Sequence, residues 1–371
     1  MDAQIQQSLE QIKTNYGFQT ENQLNELLHS LADAKFKGVT YWDYIEVETL
    51  LSLSKPKTEY PDENIFIKFH QICELYFSLI IQELKKLTSP DKFENKEVPD
   101  KKAGEEWNEA KRWNECLKRI SRYWRKLIFS FDVLKDGMYK NEFREFRLAL
   151  LPASGFQTYQ FRLIEIMLTS INNLIKTEDN IKLQNTLTID DGFSQIYWRH
   201  GATYKLEENG KVTVKPAKVL ENFNQKYDGL FKEKLLFFEN KNVYSRYLNS
   251  SDDFKAQVDE GLKELERNIL LWKLAHYRAV LPYLLAGEHG TGEVNTRGTG
   301  GTDWKNYLPI VKQKIIYFPE FWNEIELTND VSFQNKINNL IYDFYEDFKH
   351  DASNIFPEIK RIIHKEGNSD V

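Results

Sequence analysis

Between Glu63 and Leu87 the apolar residues Phe66, Ile67, Phe69, Leu75, Tyr76, Phe77, Leu79, Ile80, Leu84 and Leu87 recur at helical spacing. Pro61-Asp62 supplies a start signal for this helix and Ser89-Pro90 a stop. The Lys/Glu-rich stretch that follows, to about Gly104, reads as a solvated loop. A second long helix is predicted from about Glu105 to Leu134. A third begins near Lys140, breaks at Leu151-Pro152-Ala153-Ser154-Gly155, and resumes from Gln160 to Ile175.

The period changes near residue 200. Thr203 to Leu206 and Val212 to Val214 flank Glu208-Asn209-Gly210-Lys211, and Asn-Gly between β-forming residues predicts a hairpin. Helical spacing returns from about Pro216, with a long helix from about Asp252 to Leu285. A Gly/Thr-rich segment, Gly287 to Thr302, precedes a final set of helices. The expected fold class is all-α: a helical bundle with a small β-hairpin insert at 203–214, in a single domain spanning 1–371. No internal repeat or low-complexity segment interrupts it.

Composition narrows the function classes. A net charge of -6 argues against nucleic acid as a partner, because phosphate binding needs a basic surface. The two cysteines, Cys73 and Cys116, can form neither a disulfide framework nor a Cys-rich zinc site. No run approaches the roughly eighteen apolar residues of a membrane span, and the N-terminal stretch lacks an apolar signal core. A cytoplasmic location follows as the expectation. Aromatic residues reach 14%, which suits wide pockets between helices as well as ordinary core.

Four features could carry chemistry. His70 sits within the most apolar helix, one turn after Phe66 and on its face. His276 sits similarly in Leu270-Leu271-Trp272-Lys273-Leu274-Ala275-His276. Each reads either as a satisfied core histidine or as a ligand, since neutral imidazole on a helix is the usual axial ligand of non-covalent haem. Arg147 shares a face with Phe143, and its guanidinium fork either binds a ligand carboxylate or closes a structural ion pair. Gly298-Thr299-Gly300-Gly301-Thr302 lacks the strand and lysine of a phosphate loop, leaving a mobile lid or a plain flexible loop.

Together these segments resemble the tryptophan 2,3-dioxygenase family. The matching stretches are Tyr41-Trp42-Asp43-Tyr44, Phe66 to Gln71 with Glu74 to Phe77, Phe143 to Arg162, Trp272 to His276, and Gly298 to Thr302. They occur in the family's order and span about 39 to 320. The resemblance implies an enzyme that uses haem b and O2 to convert L-tryptophan to N-formyl-L-kynurenine. It implies His276 as the axial ligand of the haem iron and His70 as the catalytic histidine beside oxygen and the indole nitrogen. Phe66 would pack on the indole, and Arg147 would pair with the substrate carboxylate. Thr299 would bond the carboxylate and ammonium, while Phe143, Ser154 and Gly155 would line the pocket. Tyr41 and Tyr44 would enter a neighbouring subunit's pocket, which implies a homotetramer.

The chain departs from the family at Ser78, where a lysine is usual, and at Tyr76, where a tryptophan is common. Gly287 to Arg297 reads as an insertion, so 287–302 is an extended lid that brings His289 and a second Gly-Thr-Gly beside Thr299. The hairpin also reads as extra. Two alternatives stand beside the leading reading: a related haem monooxygenase or dioxygenase for a substituted tryptophan or other aromatic amino acid, and a non-catalytic helical binding protein.

Overall fold

The computed structural model describes residues 40–89, 108–149, 157–175, 188–201, 203–208, 211–285 and 308–347, with isolated positions before residue 40. The chain divides into two compact units, 1–55 and 56–371. In the first, α1 (Tyr41–Tyr44) and α2 (Val47–Ser52) are short. Thr40 and Asp43 cap α1 reciprocally, side chain to backbone in both directions. Glu46 turns the chain into α2 with a left-handed φ of 52°. Tyr41 and Tyr44 are exposed, at 76% and 80%.

The second unit is built on three long helices: α3 (Asp62–Thr88), α4 (Glu109–Phe129), and α12 (Asp252–Leu285). Between α4 and α12 come α5 (Asp132–Gly137), α6 (Lys140–Ala149), α7 (Tyr159–Leu168), a 3₁₀ turn (Ile171–Leu174), α8 (Ile189–Phe193) and α9 (Trp198–Gly201). A hairpin, α10 (Lys218–Phe238) and α11 (Val243–Leu248) follow. After α12 the chain forms α13 (Ile310–Gln313), a 3₁₀ turn (Pro319–Phe321), α14 (Glu324–Thr328) and α15 (Asp330–Asp347).

Helix α3 starts one residue before the apolar period and ends one after it. Acidic Asp62 and Glu63 occupy its first turn and Lys85 and Lys86 its last, each complementing the helix dipole. Phe69, Cys73, Phe77, Ile80, Leu84 and Leu87 form its buried stripe. α4 packs on both α3 and α12, and α7 packs on α3. α4 and α12 are tightly packed at Gly261, where a Cβ would lie 2.9 Å from Leu117 Cδ1. Trp124, Trp272, Phe77 and Phe161 then interlock, with ring centroids 5.0 to 6.3 Å apart.

The helix expected from Glu105 to Leu134 is two helices. Ser130 and Phe131 bend the chain between α4 and α5, and the Ser130 hydroxyl donates back to the Leu127 carbonyl. The bend carries the buried Phe131 ring onto Phe69 and His276. Likewise the stretch from Gln160 to Ile175 is α7 plus a 3₁₀ turn, because Thr169 leaves the helix and donates its hydroxyl to Tyr317 O. The hairpin matches its Asn-Gly signal: β1 (Thr203–Glu208) and β2 (Lys211–Pro216) pair antiparallel, with Glu208 opposite Lys211. The loop expected after Ser89, the break at 151–155 and the insertion at 287–302 lie outside the described residues. No described helix is long and apolar enough to cross a membrane.

The strap 315–322 is tied to α12 by a buried carboxylate. Glu266 accepts from Tyr317 N at 2.6 Å, Phe318 N at 3.2 Å and Trp322 Nε1 at 2.9 Å. Burial nevertheless pushes its carboxyl from 4.5 up to about 7. The folded chain therefore holds this proton more tightly than the unfolded chain. The associated stability is full below pH 4.5 and is lost as the pH rises to about 7. Glu266→Gln is expected to flatten the pH dependence of the urea midpoint over this window, by up to ~3 kcal/mol. Identical slopes for variant and parent would remove Glu266 as the source.

Candidate active site

The start of α3 is anchored before it reaches the site. Glu63, fully buried, accepts from Lys57 N, Thr58 N and the Thr58 hydroxyl. Burial alone would raise its pKa, but these hydrogen bonds and the Lys57 charge lower it overall. Asp62 accepts from Tyr139 N, while its own N–H donates to the Glu142 carboxylate at 3.2 Å. These bonds fix α3 against α6, so that Phe66 lies 6.2 Å from Phe143 and 5.8 Å from Phe146, centroid to centroid.

His70 follows one turn later, with its ring 4.2 Å from Phe66. Its Nδ1 lies 2.7 Å from Phe66 O. A carbonyl can only accept, so Nδ1 carries the hydrogen. Burial lowers the His70 pKa and outweighs that bond. A neutral ring protonated at Nδ1 leaves Nε2 as an acceptor.

His276 lies on α12, its ring parallel to Trp272 at 6.0 Å and 5.7 Å from Phe131. Burial, and then the charge of His70, lower its pKa to about 4. The two imidazoles are therefore near enough for the charge of one to disfavour protonation of the other. His276 makes no hydrogen bond to a described residue, unlike a core histidine satisfied on both nitrogens. The buried Trp272 Nε1 likewise finds no acceptor among the described residues.

Arg147 is 7% exposed and shares the α6 face of Phe143. Burial and the like charge of Arg144 lower its pKa, and it stays a cation at neutral pH. The structure thus brings together Phe66, His70, Phe143 and His276, with Arg147 one turn along α6 from Phe143. Tyr41 and Tyr44 belong to the first unit. Ser154, Gly155 and Thr299 lie outside the described residues.

Three further side chains shape this region. Phe131 bridges from Phe69 to His276, and Phe146 packs edge-on against Phe66. Phe146 was readable from its spacing to Phe143, whereas Phe131 lay inside an apparently continuous helix. Tyr283, 5.0 Å from Phe143, donates its hydroxyl to the carbonyls of Leu134 and Met138, closing the α5–α6 connection over α12. That long-range contact had no local signal.

Fold and site define a helical enzyme with a cluster of aromatic rings around two uncharged imidazoles, and a buried cation on the neighbouring helix. A family model for tryptophan 2,3-dioxygenase matches residues 27–244, more than half of the chain, and the protein belongs to that family. Its relatives include a tryptophan 2,3-dioxygenase of Bacillus cereus, 29% identical over 293 residues, covering 77% of this chain and 92% of that one. The Bacillus anthracis enzyme of the same name is 28% identical with the same coverage. That of a Ruegeria species is 26% identical over 287 residues, covering 77% and 91%.

Tyr283→Phe is expected to lower unfolding stability by about 1 kcal/mol through loss of the hydroxyl's bonds. Urea denaturation checks the value; an unchanged midpoint would mean that this contact does not hold the α5–α6 connection.

Proposed function

We propose that this chain is a haem-dependent oxygenase that combines L-tryptophan with O2 to give N-formyl-L-kynurenine. The observation that carries the reading is the pair of neighbouring neutral imidazoles, one on α3 and one on α12, packed among aromatic rings. The family and the names of the relatives point the same way.

The residues present fit haem b. Neutral imidazole is the ligating form, and His276 has an uncommitted ring held between Trp272 and Phe131. A single protein imidazole is the ligand that iron held in a macrocycle needs. When bound, ferrous haem supplies the electron exchange with O2 that side chains cannot.

The chain's own residues select and hold the substrate. His70 Nε2, an acceptor because Nδ1 is committed to Phe66 O, receives the indole N–H. Its lowered pKa makes it a weak base, suited to orientation. The Phe66 ring packs on the indole. Arg147 takes the substrate carboxylate, with Thr299 bonding the carboxylate and ammonium, and this two-point hold fixes the ring beside His70. Phe143, Ser154 and Gly155 line the pocket, and the packed rings of Phe143 and Phe146 keep water from it. The reading includes a homotetramer with Tyr41 and Tyr44 entering a neighbour's pocket. Their exposure supports it, as does the exposed apolar row Ile72, Leu75 and Leu79 on α3. It also includes a reducing cytoplasm, in keeping with free, buried Cys73 and Cys116.

Haem-loaded protein given tryptophan and isotopically labelled O2 is expected to yield N-formylkynurenine bearing two labelled oxygens. A single label would instead identify monooxygenation, and haem uptake without product would defeat the reading. Arg147→Leu is expected to raise the KM for tryptophan roughly thirtyfold or more, with a smaller effect on kcat. An unchanged KM would remove Arg147 from carboxylate recognition.

A further inference from the structure

Behind the Trp272 wall lies a buried ionic cluster that substrate recognition does not use. Glu165, with no exposed surface, accepts from Tyr197 OH at 2.7 Å, Tyr317 OH at 2.7 Å and Arg162 at 3.0 Å. Arg162 also donates to Tyr197 OH at 2.5 Å. Lys273 Nζ stands 3.5 Å from the same carboxylate. Its ammonium is surrounded by the rings of Tyr317, Tyr197 and Phe161 at 5.1, 5.5 and 5.6 Å. The cluster joins α7, the segment ahead of α9, the strap 315–322 and α12.

Such a cluster is a poor device for stability alone. Desolvating ions costs about as much as their attraction returns, and well-packed apolar residues do as well or better. What it supplies is direction. The apolar faces of α12 tolerate a small rotation or slide, since one aliphatic contact substitutes for another. An ammonium held by one carboxylate and three rings does not. Lys273 precedes His276 by three residues, about 60° around the helix and one turn along it. Any rotation of α12 that turns His276 away from His70 pulls Lys273 off Glu165.

We propose that Lys273 is a positioning residue, its contact with Glu165 fixing the rotational phase of α12 and so the direction of the His276 imidazole. The inference rests on the reading of His276 as the haem ligand. Glu165 is the receiving half of the device, and Tyr197 and Tyr317 hold its oxygens in place.

The test uses the haem-loaded full chain and the ferrous iron–histidine stretching band in resonance Raman spectra, beside haem dissociation rate and melting temperature. Lys273→Met is expected to shift or broaden the band and to speed haem loss by about tenfold. Lys273→Arg, which keeps the charge, is expected to restore a narrow band. A lower melting temperature with the parent's band and haem loss within about twofold would make Lys273 merely structural and overturn the proposal. Where Lys273→Met does not accumulate, Tyr197→Phe and Tyr317→Phe each remove one hydroxyl from Glu165 without stranding a charge. They are expected to broaden the band to a lesser degree, and an unchanged band in both overturns the proposal. His276→Ala separates the two levels: survival of the iron–histidine band in that variant would sink the ligand assignment itself, whatever Lys273→Met does.

Discussion

Two imidazoles on separate helices must be kept close and largely shielded from water. Water would let either ring take a proton, and a protonated ring repels its neighbour and cannot bind a metal. Burial sets both pKa values low, and the charge of His70 drives that of His276 lower still. Aromatic rings around them provide that shielding. Phe131 closes one side, Trp272 another, and the Phe143–Phe146 pair a third. The long seam of α4 on α12, tightly packed at Gly261, brings the interlocked Trp124 and Trp272 behind the second ring.

Three buried carboxylates have their lone pairs engaged by several donors each. Glu63 receives three donors at the start of α3, Glu266 three from the strap, and Glu165 two hydroxyls and two cations. Each sits where a helix meets a segment without regular hydrogen bonding of its own. The apolar core supplies cohesion, while these carboxylates determine which residue faces which.

Much of this was legible in the sequence where the signal is local. The period of α3, the Asn-Gly hairpin and the pairing of Phe143 with Arg147 on one face are read from spacings of two to four residues. His70 and His276 stood out as polar positions in apolar runs. The bend at Ser130-Phe131 did not, because the apolar pattern continues through it and only the tertiary contact of Phe131 makes the break favourable. Glu165 and Glu266 were invisible for a related reason: Arg162 aside, their partners stand between 32 and 152 positions away, beyond any periodicity. Lys273 was read as part of the Trp-to-His motif, but its role follows from Glu165 across the bundle.

Tyr317 is bonded through each of its polar groups. Its N–H goes to Glu266, its carbonyl receives Thr169 and Asn173, and its hydroxyl goes to Glu165. A residue held in this way acts as a reset point for the chain. Insertions or deletions between Leu285 and Tyr317 can be absorbed without shifting α14 or α15, because numbering in space begins again at Tyr317. A change in the length of the stretch that carries Thr299 therefore leaves the carboxylate anchors and the histidine pair in their places.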